Sequence, residues 1–291
     1  MIKRIAILGC ENSHANTFLS FLEDKEKYPD IEVAGVFSED AEAAEKLKAR
    51  FGVPVLPSFD CLKGKLDGLV VTARHGNDHY RFARPYIADG IPMFIDKPIT
   101  VKEDEAVVFM RECEAAGVRV TGGSCCIHCD EVVKLREKVA ADPSAVLGGF
   151  VRAPINLCNP YGDFFFYAQH PVEILCEIFG RYPSAATAHL NGKNICASVR
   201  YPDYEISLLM TDGVYVYSAT VASKEGNAGG EFPVKSSSPC FGIEFDSFVS
   251  LLRGGEMKTT YRDFIAPVFV MNALNRSLGS GREEGVNSFD L

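Results

Sequence analysis

Three short stretches carry side chains whose types and spacing could do chemistry. In Asp96-Lys97-Pro98 a lysine closes the apolar run "IPMFID". If that run is a strand of a parallel sheet, its carboxyl end is the edge where such sheets gather ligands. In "LGCENSH", Leu8 to His14, an apolar run meets a glycine and then residues suited to open a helix. A strand-to-helix turn of this kind binds phosphate through free helix N–H groups and the helix dipole, and its glycines let the backbone come close. Gly9 fits the first glycine of G-x-G-x-x-G, with Cys10 behind it, and the other two glycines are missing. Asn12 and Ser13 are good helix caps that can reach a phosphate oxygen, and His14 adds charge when protonated. A plain capped turn without a ligand fits the same residues. The third stretch, "SCCIHC", sets Cys125, Cys126, His128 and Cys129 just ahead of a helix, where thiol pKa values fall. Cys126 and Cys129 have zinc or redox spacing, but a structural zinc site draws on two separated pairs and no second C-x-x-C exists, so no metal is expected.

The elements that must position these groups alternate. "IKRIAIL", "IEVAGVF", "LDGLVVTA", "IPMFID" and "VRVTG" read as strands, separated by helical stretches. Near-continuously apolar strands alternating with helices imply a doubly wound parallel sheet covered on both faces, an α/β fold of Rossmann type. Thr100 and Glu103 have capping-box spacing at the start of the helix 101–116. The second strand ends Phe37-Ser38-Glu39-Asp40, so Ser38 holds the place of the acid that takes adenosine ribose hydroxyls in such folds. No arginine follows to greet a 2′-phosphate, and the acidic pair leans towards NAD over NADP. Beyond Gly122-Gly123 the rhythm changes. A helix at 129–141, the strand "VLGGFVRAPIN", a helix at 168–179 and strands at 184–190, 194–201, 204–211 and 214–221 predict an α+β domain with a mainly antiparallel sheet. Asp212-Gly213 reads as a hairpin turn, 223–239 as a loop, and 241–252 and 261–279 as closing helices. The expected division is 1–122 for dinucleotide binding and 123–291 for substrate and oligomerisation, with a C-terminal helix able to pack back on the first domain.

The chain has 291 residues, 47% of them hydrophobic, enough for two cores. A formal charge of −9 argues against nucleic acid, whose binding rests on Lys and Arg displacing counterions. No signal-peptide pattern or bilayer-length apolar run is seen, so a cytoplasmic protein with no membrane partner is expected, its ten cysteines mostly buried thiols.

The joint order of "TARHGNDH", "DKP", "YAQHPVEIL" and the ending "FGIEFDSFVSLLRGG … YRDFIAPVFVMNALNRSLGSG" resembles the Gfo/Idh/MocA family of glucose-fructose oxidoreductases and inositol dehydrogenases. The resemblance runs through almost the whole chain and implies reversible hydride transfer between NAD or NADP and a secondary alcohol of a sugar-like substrate, usually in a dimer or tetramer. It implies further that Thr72, Ala73, Arg74 and His79 line the cofactor, that Asp96 lies by the nicotinamide ribose and that Lys97 faces the reacting carbon. Lys97 suits that role, because a nearby cation stabilises a developing alkoxide. Many members carry Asp-x-Gly-x-His-x-x-Asp at the substrate pocket. This chain has Phe166, Ala168, His170 and Glu173 at those places. With Pro171 read as a first helical residue, His170 falls near the N-cap and Glu173 one turn on, placed to orient the imidazole of a general base. Asp163 or Tyr167 can replace the missing acid, and Arg152 and Asn156 are further substrate-contact candidates. Two other functions stay open on the same fold: a sugar or cofactor sensor without catalysis, and a glycoside hydrolase that uses NAD transiently.

Overall fold

The computed structural model describes residues 1–235 and 237–291. Five parallel strands, β1 (Lys3–Leu8), β2 (Ile31–Phe37), β3 (Gly68–Val71), β4 (Met93–Asp96) and β5 (Val120–Gly123), form a sheet in the order β2-β1-β3-β4-β5. Order reverses between β1 and β3, and a doubly wound sheet opens a binding crevice at the carboxyl ends flanking that point. The strands are apolar on both sides because both faces are covered. Ile5, Ile7, Val70 and Phe94 point into one core, whereas Ala6, Leu8, Leu69, Val71, Met93 and Ile95 point into the other.

The covering helices are α1 (Ser13–Phe21), α2 (Ala41–Phe51), α3 (Asn77–Ile87) and α4 (Glu103–Ala115). Local chemistry fixes their ends. Asn12 accepts the His14 N–H at the start of α1, and Asp40 accepts the Ala43 N–H at the start of α2. The capping box expected at Thr100 does not form. Helix α4 begins two residues later than expected, at Glu103, and the Thr100 hydroxyl donates to the Lys102 carbonyl instead.

A 3₁₀ turn at Cys125–His128 and helix α5 (Asp130–Ala141) lead into the second domain. Its sheet has seven strands in the order β11-β10-β6-β9-β8-β7-β12, where β6 is Val146–Ile155, β7 Ala185–Asn191, β8 Asn194–Arg200, β9 Glu205–Asp212, β10 Tyr217–Ser223, β11 Gly226–Phe232 and β12 Glu284–Gly285. All pairs are antiparallel except β6 with β9. Asp212-Gly213 does turn the chain, with Gly213 at φ +68°, but it closes no hairpin. Strand β6 lies between β9 and β10, and an inserted long-range strand leaves no local signal. The stretch read as a loop contains β11, whose "GNAGGEF" has low strand propensity and is held in register by β10.

Helix α6 (Phe164–Phe179) lies against β6, and α7 (Pro239–Leu252) and α8 (Tyr261–Ser280) end the fold. Helix α7 returns to the first domain. Phe245 stacks on Phe18 at 5.0 Å, and Phe248, Val249 and Leu252 complete the core beside β1 and β3. The approach is close enough that a Cβ on Gly68 would fall 2.3 Å from the Leu252 side chain. Helix α6 starts earlier than 168, so Pro171 sits inside it rather than at its first turn, and the Tyr167 carbonyl loses its intrahelical donor there. No described helix is long and apolar enough to cross a membrane.

Candidate functional site

The carboxyl ends of β1, β3 and β4 meet the start of α6 around a cavity of about 500 Å³. Among the residues expected to form a site, Asn12, Ser13, His14, Arg74, Lys97, Asn156, Tyr167 and His170 line it together.

Behind Lys97 and His14 lies Asp96, fully buried and outside the cavity lining. One carboxylate oxygen accepts from His14 Nδ1 at 2.7 Å and Asn12 Nδ2 at 3.2 Å, and the other accepts the Lys97 N–H at 2.7 Å. Burial by itself would raise the Asp96 pKa, but His14, then Lys97, more than offset it and hold the group below the ordinary range. Lys97 is 4% exposed. Its Nζ lies 4.4 Å from the centroid of Phe166. Burial pulls its pKa down from the usual lysine value, against the opposing pull of Asp96.

Opposite stands His170, buried in mid-helix, its Nδ1 2.6 Å from the Ser124 hydroxyl and 3.6 Å from Cys126 Sγ. Nε2 is therefore the nitrogen left for the cavity. Burial, then the charge of Lys97, pushes its pKa well below that of a free imidazole. The expected pairing with Glu173 is absent. Glu173 accepts the Ser124 N–H at 3.0 Å and a hydrogen bond from the Gln169 amide, whose own oxygen accepts the Ile99 N–H at 2.8 Å. The reason is the helix register: α6 turns Glu173 inward towards β5, where a Cβ on Gly123 would lie 2.7 Å from its carboxylate. A continuous buried chain, Ile99 to Gln169 to Glu173 to Ser124 to His170, thus ties the segment after Lys97 to the imidazole. Ser124 and Gln169 were not visible as site residues in the sequence, because their partners are 46 and 70 residues away.

The phosphate turn is built differently from the expectation. Gly9 has φ +77°, and a Cβ there would stand 2.3 Å from the Ala73 nitrogen, so this glycine is obligatory. Cys10, Thr72, Ala73 and His79 are buried around the turn. The Thr72 hydroxyl donates to the Gly9 carbonyl at 3.1 Å, and His79 Nε2 meets the Ala73 carbonyl at 2.7 Å. Glu11, not singled out in the sequence, occupies the second glycine's place. Its carboxylate accepts from the Ser38 hydroxyl at 2.6 Å and from the Arg74 N–H at 3.0 Å, bridging the ends of β2 and β3. Ser38 is consequently engaged and buried.

Two substrate candidates stand away from the cavity. Arg152 points from β6 with its Nε buried and unpartnered, and Asp163 precedes α6, its carbonyl accepting from Asn159. Cys125 lines the cavity. The Cys240 thiol, at the start of α7, is drawn below the ordinary range by hydrogen bonds from Cys125 and Cys129. Among the described residues no three His, Cys, Asp or Glu side chains converge as metal ligands.

Residues 3–124 match the family model of the Gfo/Idh/MocA oxidoreductases, NAD-binding Rossmann fold. Solved structures of like fold extend the comparison over the second domain. A putative myo-inositol dehydrogenase from Sinorhizobium meliloti 1021 is 14% identical, with a TM-score of 0.83 over 99% of this chain and 100% of that one. The scyllo-inositol dehydrogenase from Lactobacillus casei with bound NAD(H) and scyllo-inositol is 14% identical, with a TM-score of 0.84 over the same shares. The WlbA dehydrogenase from Bordetella pertussis in complex with NADH and UDP-GlcNAcA is 17% identical, with a TM-score of 0.81, again over 99% and 100%. At these identities the likeness establishes the fold. No curated protein matches the sequence.

Proposed function

We propose that the protein is an NAD-dependent oxidoreductase acting on the secondary alcohol of a sugar, polyol or related hydroxy compound. The observation that carries this reading is Lys97: a buried amine at the carboxyl end of a Rossmann strand, backed by an ionised Asp96 and facing a cavity shared with His170.

The residues fit a dinucleotide. The Gly9 turn and the start of α1 offer a helix N-terminus to a pyrophosphate, and Glu11 delivers to the end of β2 the carboxylate that Ser38 lacks. That carboxylate suits ribose hydroxyls and repels a 2′-phosphate, which favours NAD over NADP. Bound nicotinamide supplies the hydride acceptor or donor. Lys97 takes the hydroxyl proton during oxidation and returns it in reduction, and its lowered pKa brings this transfer closer to neutrality. His170 directs Nε2 at the same space and positions the alcohol, its ring held by the contact of Nδ1 with Ser124.

Calorimetric titration with NADH and NADPH is the direct test, since the chain has no tryptophan to report quenching. Saturable binding of NADH in preference to NADPH is expected. Failure of both to bind a folded sample overturns the reading and leaves a sensor of sugars. Replacing Lys97 by Ala lowers turnover about a thousandfold with the fold intact; unchanged turnover removes Lys97 from the mechanism.

A further inference from the structure

The cavity carries more positive charge than the reacting oxygen calls for. No aspartate or glutamate lines it, although the chain as a whole carries −9. Three cations do: Arg74, Lys97 and Lys235. Elsewhere about half of the arginines and lysines pair with a carboxylate, as in Arg81 with Glu39, Arg181 with Glu177 and Arg253 with Asp30. Neither Arg74 nor Lys235 has a carboxylate partner among the described residues. Arg74 instead donates to the Tyr161 hydroxyl at 2.9 Å and lies over that ring at 4.8 Å, which fixes the guanidinium without neutralising it.

Hydrogen-bond supply points the same way. A sugar hydroxyl must donate as well as accept, and carboxylates are the usual acceptors for it. Asn159 is spent within its own loop, giving both amide hydrogens to backbone carbonyls and taking the Tyr161 N–H on its oxygen. Asn156 uses its oxygen on the Cys158 N–H, so it too offers the cavity a donor. Two cations remain once Lys97 is assigned to the reacting oxygen.

We infer that the substrate carries a fixed negative charge, a carboxylate or a phosphate ester on a hydroxylated carbon frame, held by Arg74 and Lys235. The inference rests on the hydroxy-compound reading above and narrows its substrate class. Fixed charge on the ligand supplies what the donors lack, and charge-assisted bonds to a guanidinium are the stronger kind.

The test is calorimetric titration of the full chain with matched probes: D-glucuronate, D-glucose 6-phosphate and D-glucose, and D-galacturonate, D-galactose 6-phosphate and D-galactose, each with and without saturating NADH. At least one charged probe is expected to bind tenfold or more tightly than its neutral parent, with affinity falling as salt is raised. Arg74→Met and Lys235→Met should each remove most of that difference while circular dichroism and Tm stay unchanged. Which anion binds separates carboxylate from phosphate. The inference is overturned if the neutral sugars bind as well, if no probe binds, if both variants keep the preference, or if NADH abolishes anion binding, which would assign these cations to the dinucleotide's pyrophosphate. Charged probes that bind but are never oxidised sink the dehydrogenase reading alone; neutral sugars oxidised as fast as charged ones sink only this inference.

Discussion

Asp96 and Glu173 are carboxylates in one site, both buried, yet they are held in opposite protonation regimes. Asp96 receives three hydrogen bonds and sits between an imidazole and an ammonium, and these more than offset the cost of its burial. Glu173 receives only neutral amide donors, and burial raises its pKa to about 7. Equal burial therefore does not decide a carboxylate's charge; the charge of its partners does. Asp96 can keep Lys97 oriented as a base or acid, whereas Glu173 serves as a structural clasp on Ser124.

The largest effect that would break this contrast is expected from Asp96→Asn. Removing one partner of a buried pair costs about 3–5 kcal/mol, measured by urea unfolding at pH 7. The Asp96 contribution is present above the unfolded pKa of 3.8 and is lost as pH falls through its lower folded value. Glu173 runs the other way. With a folded pKa of about 7 against 4.5 unfolded, the native state holds its proton longer, so stability declines as pH rises between those values, by about 3 kcal/mol. Glu173→Gln should flatten that slope; an unchanged slope would mean that Glu173 is ionised like Asp96.

Smaller effects sharpen the picture. Ser124→Ala keeps the backbone N–H that Glu173 accepts but leaves His170 Nδ1 only the longer contact with Cys126 Sγ. The expected fall in kcat/KM is about tenfold, near the worth of one hydrogen bond, with the Glu173 pH slope retained. Glu11→Ala should narrow the preference for NADH over NADPH by about tenfold, or 1.4 kcal/mol, in the same calorimetric titration; a wider preference would place Glu11 against the cofactor.

The contrast also explains how much was legible in advance. Lys97 and Asp96 are adjacent in sequence, and the alternation of strand and helix alone puts them at a strand's carboxyl end. The parallel sheet was readable for the same reason, since each unit encodes itself locally. Glu173 is different: Gln169 is a neighbour on its own helix, but Ser124 comes from a turn that only the tertiary fold brings near, and Pro171 misplaced the helix start because proline usually marks one. Glu11 was hidden by its position, where a phosphate turn is searched for glycines. The order of the second sheet, with β6 driven between β9 and β10, has no local signature at all.

Helix α7 has a consequence for how the chain is made. The first sheet is encoded by residue 123, but its apolar face is closed by Phe245, Phe248, Val249 and Leu252. On a ribosome, where N-terminal segments emerge first, a complete set of parallel strands must wait with that face uncovered until more than a hundred further residues have been made. The nascent N-terminal half therefore exposes apolar surface that the finished protein buries.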